Sequence, residues 1–144
     1  MRRLQDIPVT ELLPQRSPFL FVDALEAFTE TSVRSSFTVP QEGELVEDGH
    51  LRSAGLLEHM AQTSALRIGY LSVYVQHVPV RLGYIGQFKG LKINRLPRSG
   101  ERIVTDLAVR SEVFGITLAE VVVRSGEEVL ANASLKTALE GGSE

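Results

Sequence analysis

Apolar and polar positions change period along this chain. Leu57, Ala61, Ser64 and Ile68 recur at i, i+4, i+7 and i+11, the spacing of one face of an α-helix. The pattern predicts a helix over residues 53–73, opened by a capping Ser53 and followed by a connection that Pro79 closes. Only Glu58 and Arg67 bring formal charge to it, so it reads as a helix surrounded by other structure, with Leu56, Leu57, Met60, Ala61 and Ala65 in the core. Ala54, Gly55, Ala61, Ser64, Ala65 and Gly69 are small enough to let neighbouring backbone approach closely.

The rest of the chain repeats with period 2, the signature of half-buried strands. Residues 19–29 read as one strand and 31–39 as its hairpin partner. Residues 41–52 read as a polar, acidic loop. Residues 80–95 form a glycine-interrupted strand, and 97–100 a turn. The sets Ile103, Thr105, Leu107, Val109, then Ala119, Val121, Val123, then Ala131, Ala133, Leu135, Thr137 each mark one face of a later strand. A short helical turn at 9–14 precedes all of this, and 141–144 reads as a disordered tail. Five or six antiparallel strands must therefore wrap one long central helix, an α+β domain spanning residues 1–144. An open sheet edge invites pairing, which predicts a homodimer or a higher even oligomer, with a heterodimer as the alternative.

Composition narrows the function. A net charge of −3 over 144 residues excludes general nucleic-acid binding, which needs a strongly basic face. No cysteine is present, which removes disulfide and thiolate chemistry and suits the cytoplasm. No apolar leader and no stretch of ~18 apolar residues appears. A soluble, cytoplasmic protein is expected. No metal-ligand spacing and no glycine-rich phosphate loop stands out, so neither metal nor cofactor is expected.

The candidate chemistry clusters at the helix start. Glu58 lies on the helix, and His50 lies in the lead-in loop. A carboxylate beside an imidazole is the minimum equipment for taking a proton from one atom and giving one to another. Gln62, one turn after Glu58, is placed to orient its carboxylate. The plain readings remain open: Glu58 as a solvated helix residue, His50 as an ordinary loop histidine. His59 lies about 100° around the helix from Glu58 and reads as packed or solvent-facing, His77 as structural. Asp23 reads as a buried structural acid partnered by Arg16.

Three stretches together resemble a known family. Leu13-Pro-Gln-Arg-Ser-Pro-Phe-Leu-Phe-Val-Asp23, Glu58-His-Met-Ala-Gln-Thr63 and Tyr84-Ile-Gly-Gln-Phe-Lys89, with Arg98-Ser-Gly100, are similar to the hot-dog-fold (3R)-hydroxyacyl-[acyl-carrier-protein] dehydratases of the FabZ/FabA type. The helix motif E-x-M-A-Q-T is the most specific of these. The chain departs from the family where Gly49-His50 continues as Leu51-Arg52 instead of Phe-Pro, in a shorter loop, and where Gln15 replaces a histidine. It resembles the divergent dehydratase-like proteins of aryl-polyene and flexirubin pathways.

The resemblance implies a hot-dog fold and dehydration of a 3-hydroxyacyl thioester on acyl-carrier protein to the trans-2-enoyl product. It implies His50 as the base at C2 and Glu58 as the acid at the C3 hydroxyl. Gly55 at the helix start, with Gly86 as a second candidate, would offer N–H groups to the thioester oxygen. Lys89, Lys92, Arg95 and Arg98 would dock the acidic carrier protein, unless they are simply solvated strand charges. Two other readings fit the same scaffold: an acyl thioesterase, and a non-catalytic subunit that completes a partner's dimer.

Overall fold

The computed structural model describes residues 2–139; the expected tail at 141–144 lies outside them. Two single-turn 3-10 segments, Leu4–Asp6 and Val9–Glu11, lead in. The hairpin β1 (Ala24–Thr29) and β2 (Ser32–Thr38) follows, then the short strands β3 (Val46–Glu47) and β4 (His50–Leu51). Helix α1 (Ser53–Tyr70) runs into a wider π-type turn at Leu71–Val75. The chain closes with β5 (Gly83–Ile93), β6 (Arg102–Val113), β7 (Ile116–Ser125) and β8 (Glu128–Leu139). Six strands form one antiparallel sheet in the order β1-β2-β6-β7-β8-β5. The architecture is α+β, one sheet packed around one long helix.

Alternation along β6, β7 and β8 determines which face is covered. Ile103, Thr105, Leu107, Ala119, Val121, Val123, Ala131, Ala133, Leu135 and Thr137 are all buried, as their period-2 spacing predicts. Each fully buried branched side chain among them contributes roughly 1.5–3 kcal/mol by leaving water. Gly69 of α1 lies against the backbone of Leu12, where a Cβ would collide with the carbonyl. The 3-10 lead-in is thus able to lie directly on the helix.

Several expectations need correction. The first strand is shorter than residues 19–29 because Phe21 gives both its N–H and its carbonyl to helix side chains, leaving nothing for a ladder. The strand expected over 80–95 is confined to Gly83–Ile93. The acidic segment 41–52 is not all loop: β3 and β4 pair across Asp48-Gly49, whose φ values are +54° and +72°. Asp-Gly with both residues at positive φ is the preferred two-residue hairpin turn. Ser53 is the first helical residue and not the cap; Arg52 occupies the cap position without a side-chain hydrogen bond. Asp23 is exposed and accepts from the Thr38 N–H at 2.7 Å. Arg16 donates instead to the carbonyls of Thr10, Leu13 and Gln15.

The largest correction concerns the face of α1 that is buried. The apolar positions Leu57, Ala61, Ala65 and Ile68 are only half-buried, and Glu58 is exposed. Leu56, Met60 and Ser64 are buried as expected, and turned into the core beside them are His59, Gln62, Thr63, Leu66 and Arg67. Polar side chains tolerate that position because each finds a partner: Thr63 bonds Ser35 at 2.7 Å, and Arg67 donates to the Glu30 carbonyl. Burying them unpaired would cost about 1–3 kcal/mol apiece.

Candidate active site

The β3–β4 hairpin places His50. Its Nδ1 lies 2.9 Å from the Asp48 carbonyl, and a carbonyl only accepts, so Nδ1 carries the proton. The lone pair is then on Nε2, the form in which an imidazole acts as a base. The hairpin is held from the other side: Leu51 N–H bonds the Pro97 carbonyl, Ser99 N–H bonds the Gly49 carbonyl, and His50 bridges to Arg98. A cleft of about 590 Å³ opens here, lined by His50, Arg52, Ser53, Leu96 and Arg98 among others.

The start of α1 borders this cleft. The first intrahelical bond runs from Leu56 N–H to the Arg52 carbonyl, so the amides of Ser53, Ala54 and Gly55 have no acceptor within the helix. Ser53 lines the cleft, whereas Gly55 does not. Gly55 packs so tightly on Leu51 and Leu45 that a Cβ would overlap the Leu51 side chain. Gly86 is elsewhere: it occupies a bulge between Ile85 and Gln87 in β5 and lines a separate hollow with Lys136 and Thr137. The structure does not bring Gly86 to His50.

Glu58 stands one turn further along α1. Gln62 donates to its Oε2 at 3.2 Å, as the i, i+4 spacing predicts. Five residues separate Glu58 from Ser53, which puts it about 140° around the helix axis and about 7.5 Å along it. The cleft that holds His50 is accordingly not lined by Glu58.

The four cations expected to act together are divided. Lys89 and Lys92 are exposed on β5, and Arg95 and Arg98 both stand in the cleft wall. Arg95, however, is held there by Glu101 at 2.6 Å and Glu128 at 3.0 Å. Hydrogen bonding from Arg95 keeps the Glu101 carboxyl far below the usual carboxylate range. This arginine is a structural strut and not part of a free basic patch. Among the described residues no three His, Asp or Glu side chains gather as a metal ion would require.

The family model described as ApeP dehydratase, of the ApeP-like group, matches residues 7–139. The chain belongs to the ApeP-like dehydratase family. A relative from Caldanaerobacter subterraneus subsp. tengcongensis, a 3-hydroxyacyl-[acyl-carrier-protein] dehydratase FabZ, is 24% identical over 135 residues, covering 92% of this chain and 95% of the relative. Among solved structures, the dehydratase heterocomplex ApeI:P from Xenorhabdus doucetiae superposes with a TM-score of 0.84 at 19% identity, over 93% of this chain and 91% of the other. A hypothetical thioesterase from Streptococcus pneumoniae, solved with coenzyme A, reaches 0.66 at 13% identity over 83% and 87% of the two chains. These structural likenesses establish the shared hot-dog fold.

An ApeP-like dehydratase with this geometry has a residue that inspection of the motif alone undervalued. His59 is fully buried, with Nδ1 at 2.7 Å from the Phe21 carbonyl and Nε2 at 2.6 Å from Thr105 Oγ1. It stacks on Phe37 at 5.7 Å between ring centroids. Burial pushes its pKa down to about 4, so the ring is neutral, donating from Nδ1 and accepting at Nε2. Of the two readings offered by the sequence, packing is the one observed. The Asp-Gly turn, likewise, was the available signal that His50 sits on a hairpin.

Proposed function

We propose that this chain dehydrates a 3-hydroxyacyl thioester, carried on acyl-carrier protein, to the trans-2-enoyl thioester. His50 Nε2 takes the C2 proton as that C–H bond breaks and the C2=C3 double bond forms. The C3–O bond breaks with it, and the Glu58 carboxyl supplies the proton that lets the hydroxyl leave as water. The imidazolium and carboxylate left behind reset by proton exchange through solvent. Donors at the helix start, the Ser53 amide at the cleft wall first among them, stabilise the negative thioester oxygen. The observation that supports this reading is His50 in the cleft wall with its Nδ1 tethered to the Asp48 carbonyl, which reserves Nε2 for the base.

The two groups meet across an assembly, His50 of one chain facing Glu58 of another. Support comes from the half-exposed Leu57, Ala61, Ala65 and Ile68 around Glu58 and from the unpaired outer edge of β5. A homodimer is the simplest arrangement. The name of the ApeI:P heterocomplex makes a related but different second chain the alternative. The carrier protein docks on Arg98, Lys89 and Lys92. The cysteine-free chain suits the reducing cytoplasm, the compartment we assign to the reaction.

The test is incubation with a (3R)-3-hydroxyacyl-carrier protein, followed by mass spectrometry of the carrier. Loss of one water supports the dehydratase. Release of the free acid would establish the thioesterase instead. An unchanged substrate, both alone and with a co-expressed ApeI-like partner, would leave a non-catalytic subunit.

A further inference from the structure

Among the described residues Gln62 is the only side chain bonded to Glu58, and its orientation is determined elsewhere. Its Oε1 accepts from the Phe21 N–H at 2.7 Å, so Nε2 is left to donate to the Phe19 carbonyl at 2.9 Å and to Glu58. A flipped amide would set donor against donor at Phe21 and oxygen against oxygen at Glu58. The Gln62 amide therefore aims at Glu58 only while the Phe21 peptide keeps its place.

Phe21 lies in a segment outside the sheet. Its N–H goes to Gln62 and its carbonyl to His59, two residues three apart on the same helix face. The His59 ring is itself fixed at its far side by Thr105 in β6. A continuous hydrogen-bonded chain thus runs Thr105–His59–Phe21–Gln62–Glu58. We infer that His59, the residue the helix motif leaves unspecified, is a positioning residue for the acid: it clamps the Phe21 carbonyl so that Gln62 holds the Glu58 carboxylate in its reacting orientation. This inference rests on the dehydratase reading for its effect on turnover, though not for the clamp itself.

Two polar replacements separate positioning from packing. His59→Asn keeps a donor where Nδ1 was, toward Phe21, whereas His59→Gln reaches toward Thr105. Positioning predicts that His59→Asn stays within a few fold of wild-type kcat. It predicts that His59→Gln and His59→Leu lose about 10–100-fold in kcat with KM little changed, the cost of a misaligned group. The Gln62 side-chain amide resonances should follow the same order, unchanged in Asn and displaced in Gln and Leu. Equal kcat in all three variants, or a His59→Gln that outperforms His59→Asn, overturns the inference. If the wild type itself makes no enoyl product, the dehydratase reading fails separately, and Gln62 resonances unmoved by His59→Gln then reject the clamp. Should the variants not fold, nitrogen NMR of the wild type decides: a neutral His59 protonated on Nε2 instead of Nδ1 refutes the arrangement.

Discussion

Gln62 sits one helical turn beyond Glu58 and donates to its carboxylate at 3.2 Å, while its own amide oxygen is held by a backbone N–H 41 residues earlier in the chain. An exposed acid is thereby oriented by a buried amide. The proposed acid stays accessible, and the residue that bonds it is locked in the core. Replacing Glu58 by Gln preserves shape and removes the proton. Turnover should fall about 10²–10⁴-fold with an unchanged circular dichroism spectrum; wild-type turnover would remove Glu58 from the reaction.

His50→Ala should lose a similar factor, since it removes the lone pair at Nε2. The two inactive chains should nevertheless rescue each other. In a mixed dimer of His50→Ala and Glu58→Gln chains, one site regains both wild-type groups if each site is shared between chains. Co-purified mixtures that stay as inactive as either variant would place the pair within a single chain.

Ala61 lies on the half-exposed face of α1 between Leu57 and Ala65. Ala61→Glu should drive the protein to monomer in light scattering and abolish turnover while the chain stays folded. An unaltered mass in solution would move the interface elsewhere.

Arg95 and Arg98 should behave oppositely. Arg98→Glu is expected to raise KM for a carrier-bound substrate and to leave KM for a short soluble thioester unchanged. Arg95→Ala removes the strut to Glu101 and Glu128 and should cost about 1–3 kcal/mol of stability, read from urea unfolding. A selective docking defect in Arg95→Ala would contradict this division.

His59 makes stability depend on pH. Its ordinary value is 6.5 and its value in the fold is about 4, so the unfolded chain binds the extra proton across that window. Stability is therefore full above about pH 6.5 and falls as pH drops toward 4, by ~3 kcal/mol over the whole range. His59→Leu should flatten the urea midpoint across the same interval, and an equally steep profile in that variant would assign the loss to carboxylates.

Much of the fold was legible in residue order alone. The period-2 runs of β6, β7 and β8 and the start of α1 needed only local spacing, because a strand or helix must present one continuous face to the core. Glu58 and Gln62 were paired by the geometry of a single helix, a spacing of four residues that places them on one face. The buried face of α1 was a different matter. Periodicity pointed to Leu57, Ala61, Ser64 and Ile68, yet of these only Ser64 is buried, and the core side carries His59, Gln62, Thr63 and Arg67. Whether a polar side chain can be buried depends on partners such as Phe21, Ser35, Thr105 and Glu30, which are distant in the chain. Only the fold brings those acceptors and donors within reach. The same reason separates Arg95 from Arg98: identical side chains three residues apart in the wall of one cleft, of which Arg95 is neutralised by Glu101 and by Glu128 from a neighbouring hairpin.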